Sequence, residues 1–119
     1  HSPNCMAVAC LGDLDPESVL PPLTPYFVMR IGRLTLIPYF RPGDRGLAAA
    51  VGRRAIDTHA MLLAHHGMIV CERNLAAAVN TAEELEETAR LFLTVKDRPY
   101  RELTRSQVAE LERLFPKAN

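Results

Sequence analysis

Four histidines, His1, His59, His65 and His66, are the side chains of this 119-residue chain best suited to hold a metal ion or move protons near neutral pH. Two of them form His65-His66-Gly67, directly between the apolar runs Met61-Leu62-Leu63-Ala64 and Met68-Ile69-Val70-Cys71. Loops at the ends of buried strands are where α/β proteins place their sites. In extended backbone adjacent residues point to opposite faces, so only one of the pair can readily reach a given metal. The same tripeptide also reads as an ordinary β-turn in which Gly67 supplies a positive φ. His59 follows Thr58 and reads as a surface residue at a helix–strand junction. His1 is either a terminal residue without a role or the residue just before a capped helix.

Other reactive chemistry is sparse. Cys5, Cys10 and Cys71 are odd in number and lack CxxC spacing. They read as reduced, mostly buried thiols of a cytosolic protein rather than a disulfide scaffold or a zinc ribbon. No Ser-His-Asp or Cys-His arrangement can be argued from spacing, and there is no GxGxxG and no Walker loop. The acidic run Glu83-Glu84-Leu85-Glu86-Glu87 could suggest a metal site. At helical spacing it is more simply a solvated face, with Glu86–Arg90 as an i,i+4 pair.

Composition bounds the partners. Fourteen Lys+Arg balance fourteen Asp+Glu, so the formal net charge is zero. A grip on a nucleic-acid backbone needs excess positive charge, and no nucleic-acid partner is expected. Hydrophobic residues make up 48% of the chain, which is enough for a core and excludes disorder. The apolar runs fall far short of the roughly 20 residues that cross a bilayer, so no membrane partner is expected. The N-terminus has no basic region followed by an apolar stretch, hence no signal peptide, and the chain starts without Met, so further sequence upstream is expected.

The elements that must carry these residues follow from periodicity and capping. Ser2-Pro3 reads as an N-cap with Pro at the first helical position, opening a helix that stops near Gly12. Residues 13–16 are a turn, and the prolines of 21–25 make a rigid connection. Residues 26–29 are apolar and could be helix or strand. Leu34-Thr35-Leu36-Ile37 reads as a short strand ended by Pro38. Asp44 is offered as an N-cap, with Leu47, Ala48, Val51 and Ala55 giving a helical face through about Ile56. The two runs flanking Gly67 are two strands or one bent strand. A long helix runs from about Leu75 to Val95, with Leu75, Ala78, Ala82, Leu85, Ala89 and Phe92 inward. The last helix starts at Thr104 with a capping box to Gln107 and a staple between Leu103 and Val108. Val108, Leu111 and Phe115 face inward, and Pro116 ends it. Three strands need more to cover them, so the chain reads as part of a larger α/β domain.

Leu62-Leu63-Ala64-His65-His66-Gly67-Met68-Ile69-Val70, followed by Asn74-Leu75 and Ala82-Glu83-Glu84-Leu85-Glu86-Glu87-Thr88-Ala89, resembles the second half of the class II aldolase/adducin family. That family includes fuculose-phosphate aldolase, ribulose-phosphate 4-epimerase and the 3-oxo-tetronate 4-phosphate decarboxylases. Residues 20–29, with Ile37-Pro38-Tyr39 and Arg41-Pro42-Gly43-Asp44, most resemble the decarboxylase branch. The resemblance runs from His1 to about Leu114. It implies a three-layer α/β/α domain, of which residues 1–119 would be the C-terminal part.

It also implies a divalent metal, usually zinc, held by three histidines: two from a His-x-His motif and one from an (Asn/His)-His-Gly motif. Here His66 matches the third ligand and His1 the second His of His-x-His. The first His, the catalytic Glu and the phosphate-binding loops would lie upstream, and the chain alone would be inactive. His65 stands where the family has Asn or His and is not counted as a ligand. Tyr26, by its distance from Gly32, matches the Tyr that protonates an enediolate in a neighbouring subunit; it could equally be an interface or core aromatic. Loss of CO₂ and retro-aldol cleavage both leave enediolate charge, which a metal stabilises as a Lewis acid. The implied function is a zinc-dependent, cytoplasmic, homotetrameric decarboxylase of a phosphorylated four-carbon 3-oxo acid. The alternatives are a class II sugar-phosphate aldolase and a metal-free adducin-like interaction module. His66 argues against the last, because a purely structural copy has no need of a ligand histidine.

Overall fold

A computed structural model describes residues 2–116. Its elements in chain order are α1 (Pro3–Ala9), α2 (Pro25–Arg30), β1 (Thr35–Ile37), α3 (Arg45–Arg54), β2 (Ala60–Leu63), β3 (Gly67–Val70), α4 (Leu75–Val95) and α5 (Arg105–Leu114). The strands form one mixed sheet in the order β1-β2-β3. β1 runs parallel to β2 with Leu36 opposite Leu62, and β2 runs antiparallel to β3 with Leu62 opposite Met68. The open alternative around Gly67 therefore resolves as two strands joined by a tight turn.

Side-chain alternation sorts β1 and β2 onto two cores. Ala60 and Leu62 pack with Cys5, Val8 and Ala9 of α1, Phe27 of α2, and Leu85 and Ala89 of α4. Ile37, Met61 and Leu63 face the other way and pack with Ala50 of α3, joined by half-buried Leu47 and Val51. Helices thus cover both faces, which is the three-layer α/β/α arrangement. β2, central and covered on both sides, is buried at all four positions, as its unbroken apolar run requires. The outer edge of β1 is closed by the loop before it: Leu36 N–H donates to the Pro16 carbonyl at 2.8 Å, and Val19 N–H to the Leu34 carbonyl at 2.9 Å.

Several local expectations change. Residues 26–29 are helical: Thr24 Oγ1 accepts from Phe27 N–H at 3.2 Å and Pro25 occupies the first turn, so the cap and not the apolar run decides. α1 ends at Ala9, before Gly12, and Ser2 makes no side-chain cap. α3 ends at Arg54, Ala48 is exposed, and Ile56 lies outside the helix at 87% exposure. In α4, Leu75 is 80% exposed, while Thr81 and Thr88 are buried. The buried hydroxyls are satisfied within reach: Thr88 Oγ1 donates to the Glu84 carbonyl at 2.8 Å and Thr81 Oγ1 to Glu72 Oε1 at 2.9 Å. Phe115 follows the last helical residue and is exposed, whereas Val108 and Leu111 are half-buried as expected. Cys5 is buried, but Cys10 and Cys71 are exposed, and all three thiols are free. Asp44 caps α3 through Gly46 N–H at 2.7 Å, and Thr104 and Gln107 form the reciprocal capping box of α5. No described helix is long and apolar enough to cross a membrane.

Leu85 is fully buried where α4 meets α1 and β2. Leu85→Ala should lower unfolding free energy by about 2–5 kcal/mol through lost transfer energy and a cavity. Leu75→Ala, at an exposed site, should stay within about 0.5 kcal/mol of wild type. Urea unfolding of both variants checks the pair.

Candidate functional site

The His65-His66 segment is a turn, not extended backbone. Leu63 O accepts from His66 N–H at 3.0 Å, and His65 takes φ 61°. A left-handed residue at the third position of a turn is ordinarily Gly or Asn, and a larger side chain there costs about 1–2 kcal/mol. The expectation had placed the positive φ only at Gly67, whose φ is 155°. Three supports hold the turn. Ala64 N–H donates to Ile37 O and His65 N–H to Ala9 O, each at 3.0 Å. The Tyr39 ring meets the His65 ring edge-on at 5.9 Å. Both histidines are exposed, so His66 presents an imidazole to solvent from a backbone tied to β1 and to the end of α1.

α1 is fixed at its other end by α4. Glu86 Oε2 accepts from Asn4 N–H at 2.9 Å and from Asn4 Nδ2 at 2.8 Å, and Glu86 Oε1 accepts from Cys5 N–H at 2.9 Å. The first-turn amides of a helix have no intrahelical partner, and a carboxylate suits both those donors and the positive end of the helix dipole. This is the cap expected of Ser2, supplied instead from 82 residues away. It also overturns the Glu86–Arg90 pairing: Arg90 donates to Glu87 Oε2 at 2.8 Å, one turn back. Burial alone would raise the Glu86 carboxyl. The backbone amides of Asn4 and Cys5, and then their side chains, outweigh it and hold the group below its ordinary 4.5. The Cys5 thiol is pushed up to about 12 by burial first, then by the charge of Glu86 and a hydrogen bond to it. It therefore stays protonated near neutral pH.

Tyr26 sits in the first turn of α2 and is 58% exposed, with the Arg30 guanidinium 5.8 Å from its ring centroid. Its helical neighbours Phe27 and Val28 take the buried positions, so Tyr26 is not a core aromatic. α2 packs on α4 and α5, whereas α1 packs on α4 and the β2–β3 strands. Tyr26 and His66 thus hang from different supports. His1 lies outside the described residues.

His59 is half-buried rather than a free surface residue. Its Nε2 lies 2.8 Å from Arg30 O and 3.4 Å from Glu72 Oε1. Both partners are acceptors, so Nε2 carries the hydrogen. These residues line an open groove of about 1020 Å³ at the end of β2 and β3 remote from His66, and their polar groups are engaged with one another.

Imidazole suits zinc, and exposed His66 fits as one ligand. Among the described residues, no three His, Cys, Asp or Glu side chains converge to hold a metal. The remaining ligands would come from outside them.

The sequence pattern of the family described as "Class II Aldolase and Adducin N-terminal domain" matches residues 1–93. The chain is 49% identical over 111 residues to 3-oxo-tetronate 4-phosphate decarboxylase of Escherichia coli (strain K12), covering 93% of this chain and 52% of the relative. It is 35% identical over 96 residues to L-fuculose phosphate aldolase of the same organism, covering 79% and 42%. The crystal structure of YgbL from Escherichia coli superposes with a TM-score of 0.88 at 48% identity, covering 91% of this chain and 52% of that one. The chain therefore spans about half the length of the curated relatives it matches.

The Glu86 cap has a pH signature. A carboxyl held below its unfolded value contributes fully above about pH 4.5 and loses that contribution as pH falls through the folded value. Glu86→Gln should be less stable than wild type by about 1–3 kcal/mol at pH 7, the scale of charged hydrogen bonds. Denaturant titrations at descending pH should show the gap narrowing in the acid range; a gap independent of pH would contradict the assignment.

Proposed function

Because the chain belongs to the class II aldolase/adducin family, we propose that it is the C-terminal part of a single such domain in a metal-dependent decarboxylase of 3-oxo-tetronate 4-phosphate. The observation that carries this reading is the difference in likeness. Identity is 49% over 111 residues to a decarboxylase and 35% over 96 residues to an aldolase. The aldolase is the second reading, since the two reactions leave the same kind of charge. An adducin-like interaction module is disfavoured by an exposed His66 imidazole on a well-anchored turn backbone.

In this reading His66 and His1 are two of the metal ligands, and the third lies in the part of the relatives' length that this chain does not span. The ion, with zinc the choice that imidazole donors favour, supplies Lewis-acid stabilisation of the negative charge left on the substrate. Breaking the bond to the carboxylate releases CO₂ and leaves its electron pair on the adjacent carbon and the neighbouring carbonyl oxygen. That carbon then needs a proton. The exposed Tyr26 hydroxyl supplies it, to the site of an adjacent subunit in a homotetramer. Exposure of Tyr26 supports this placement, because a residue serving a neighbouring chain cannot be in its own core. The free thiols agree with a reducing, cytoplasmic setting.

The complete protein that carries this chain should release CO₂ from 3-oxo-tetronate 4-phosphate and cleave L-fuculose 1-phosphate poorly or not at all. The reverse preference would replace the decarboxylase by the aldolase. Residues 1–119 alone should be inactive. In the complete protein, Tyr26→Phe should keep metal content and the tetramer mass by light scattering, while turnover falls about 10²–10⁴-fold. Full activity in that variant would leave Tyr26 as interface packing.

A further inference from the structure

Helix α1 is fastened at both ends, and one of the two fastenings is the turn that carries His66. At its C-terminus, Ala9 O accepts from His65 N–H at 3.0 Å, in the turn that carries His66. Along its length, a Cβ on Gly67 would lie 3.7 Å from Met6 Cγ, so the start of β3 rests against the same helix. At its N-terminus, Glu86 holds the backbone amides of Asn4 and Cys5. Ser2 could have capped the helix locally and does not. A local cap would satisfy the first turn without fixing the helix to anything. A cap from α4 satisfies the same donors and also fixes where the first turn of α1 stands relative to the rest of the core. A half-buried carboxylate is tolerated only when its lone pairs are taken up, and here three nitrogen donors do so.

We infer that Glu86 is a positioning residue of the metal centre, fixing α1 and, through the Ala9 carbonyl, the turn that carries His66. The inference rests on the reading of His66 as a metal ligand. Groups that orient ligands from behind typically change metal affinity 10- to 100-fold when removed. Glu86→Gln keeps the size of the side chain, but it loses the charge and presents an amide donor to donors.

The test uses Co²⁺ alone as the probe, bound to the metal-stripped complete protein, with no substrate present. In Glu86→Gln, Co²⁺ affinity should fall about 10- to 100-fold and the visible d–d bands should change, at a temperature where circular dichroism shows the variant folded. Met61→Ala, in the core on the other face of the sheet, is the control for general destabilisation and should leave the bands unchanged. A folded Glu86→Gln with wild-type affinity and bands overturns the inference. If Glu86→Gln does not fold, Asn4→Ala removes only the side-chain donor and should shift affinity in the same direction by less; wild-type binding there overturns the inference. His66→Ala separates the two levels. Unchanged Co²⁺ binding in His66→Ala overturns the ligand reading and this inference with it. Lost binding in His66→Ala beside unchanged binding in Glu86→Gln overturns this inference alone.

Discussion

The Glu86 carboxylate meets the first turn of α1 through three hydrogen bonds of 2.8–2.9 Å, and much of the site's framework depends on that contact. α1 is only seven residues long. A helix that short is not stable by itself, because nucleation costs more than so few internal bonds return. Its persistence has to come from outside: from the Cys5, Val8 and Ala9 side chains buried against β2 and α4, and from the cap. Burial fixes which face turns inward but leaves the helix free to slide along its axis. Directional bonds to Asn4 and Cys5 at one end and from His65 at the other remove that freedom. The long helix α4 can serve as anchor because its own position is set by Leu85 and Ala89 in the same core.

The sheet supplies the complementary constraint. With strands of three or four residues, pairing alone gives little stability, and both faces must be covered. The loop at 16–19 closes the β1 edge. It is held from outside by Glu17, which pairs with Arg33 before β1 and with Arg54 at the end of α3. These are exposed ion pairs of small individual worth; their role is to keep the loop in register so that its carbonyl and amide meet Leu36 and Leu34. The β3 edge has no such cover among the described residues, and β3 is half-buried over Met68, Ile69 and Val70.

Which parts of this were legible in the sequence follows from the range of the interactions. Caps made within four residues were readable: Asp44 and Thr104 act on amides two and three positions ahead. The long helix and the strand at Thr35–Ile37 were readable from apolar spacing. The misplaced features depend on contacts distant in sequence. Ser2 has the composition of a cap, but Glu86 reaches the same amides from α4. Glu86 itself is one of four glutamates in residues 83–87, and its charge alone does not set it apart from Glu83 or Glu87. Leu75 fits the apolar stripe of α4, yet the first turn extends past the core, while Thr81 and Thr88 are buried with hydroxyls satisfied by Glu72 and by the helix backbone. A signal for Glu86 did exist: a carboxylate within a stripe that includes Leu85 and Ala89 cannot be wholly solvated.

The His65-His66 turn shows why family and chemistry were more legible than substrate. The turn is fixed by its backbone. Its left-handed residue and its bonds to Ile37 and Ala9 would hold an imidazole at His66 in the same place for a decarboxylase or for an aldolase. Both reactions place negative charge on oxygen beside the broken bond, so a metal acting as a Lewis acid would serve either. Discrimination between a carboxylate and an aldehyde leaving group must come from groups that touch the part of the substrate being lost. None of the residues that anchor the turn is of that kind: Ala9 and Ile37 contribute carbonyls, and Tyr39 meets only the His65 ring. Overall identity, 49% to the decarboxylase against 35% to the aldolase, is what separates the two kinds of relative.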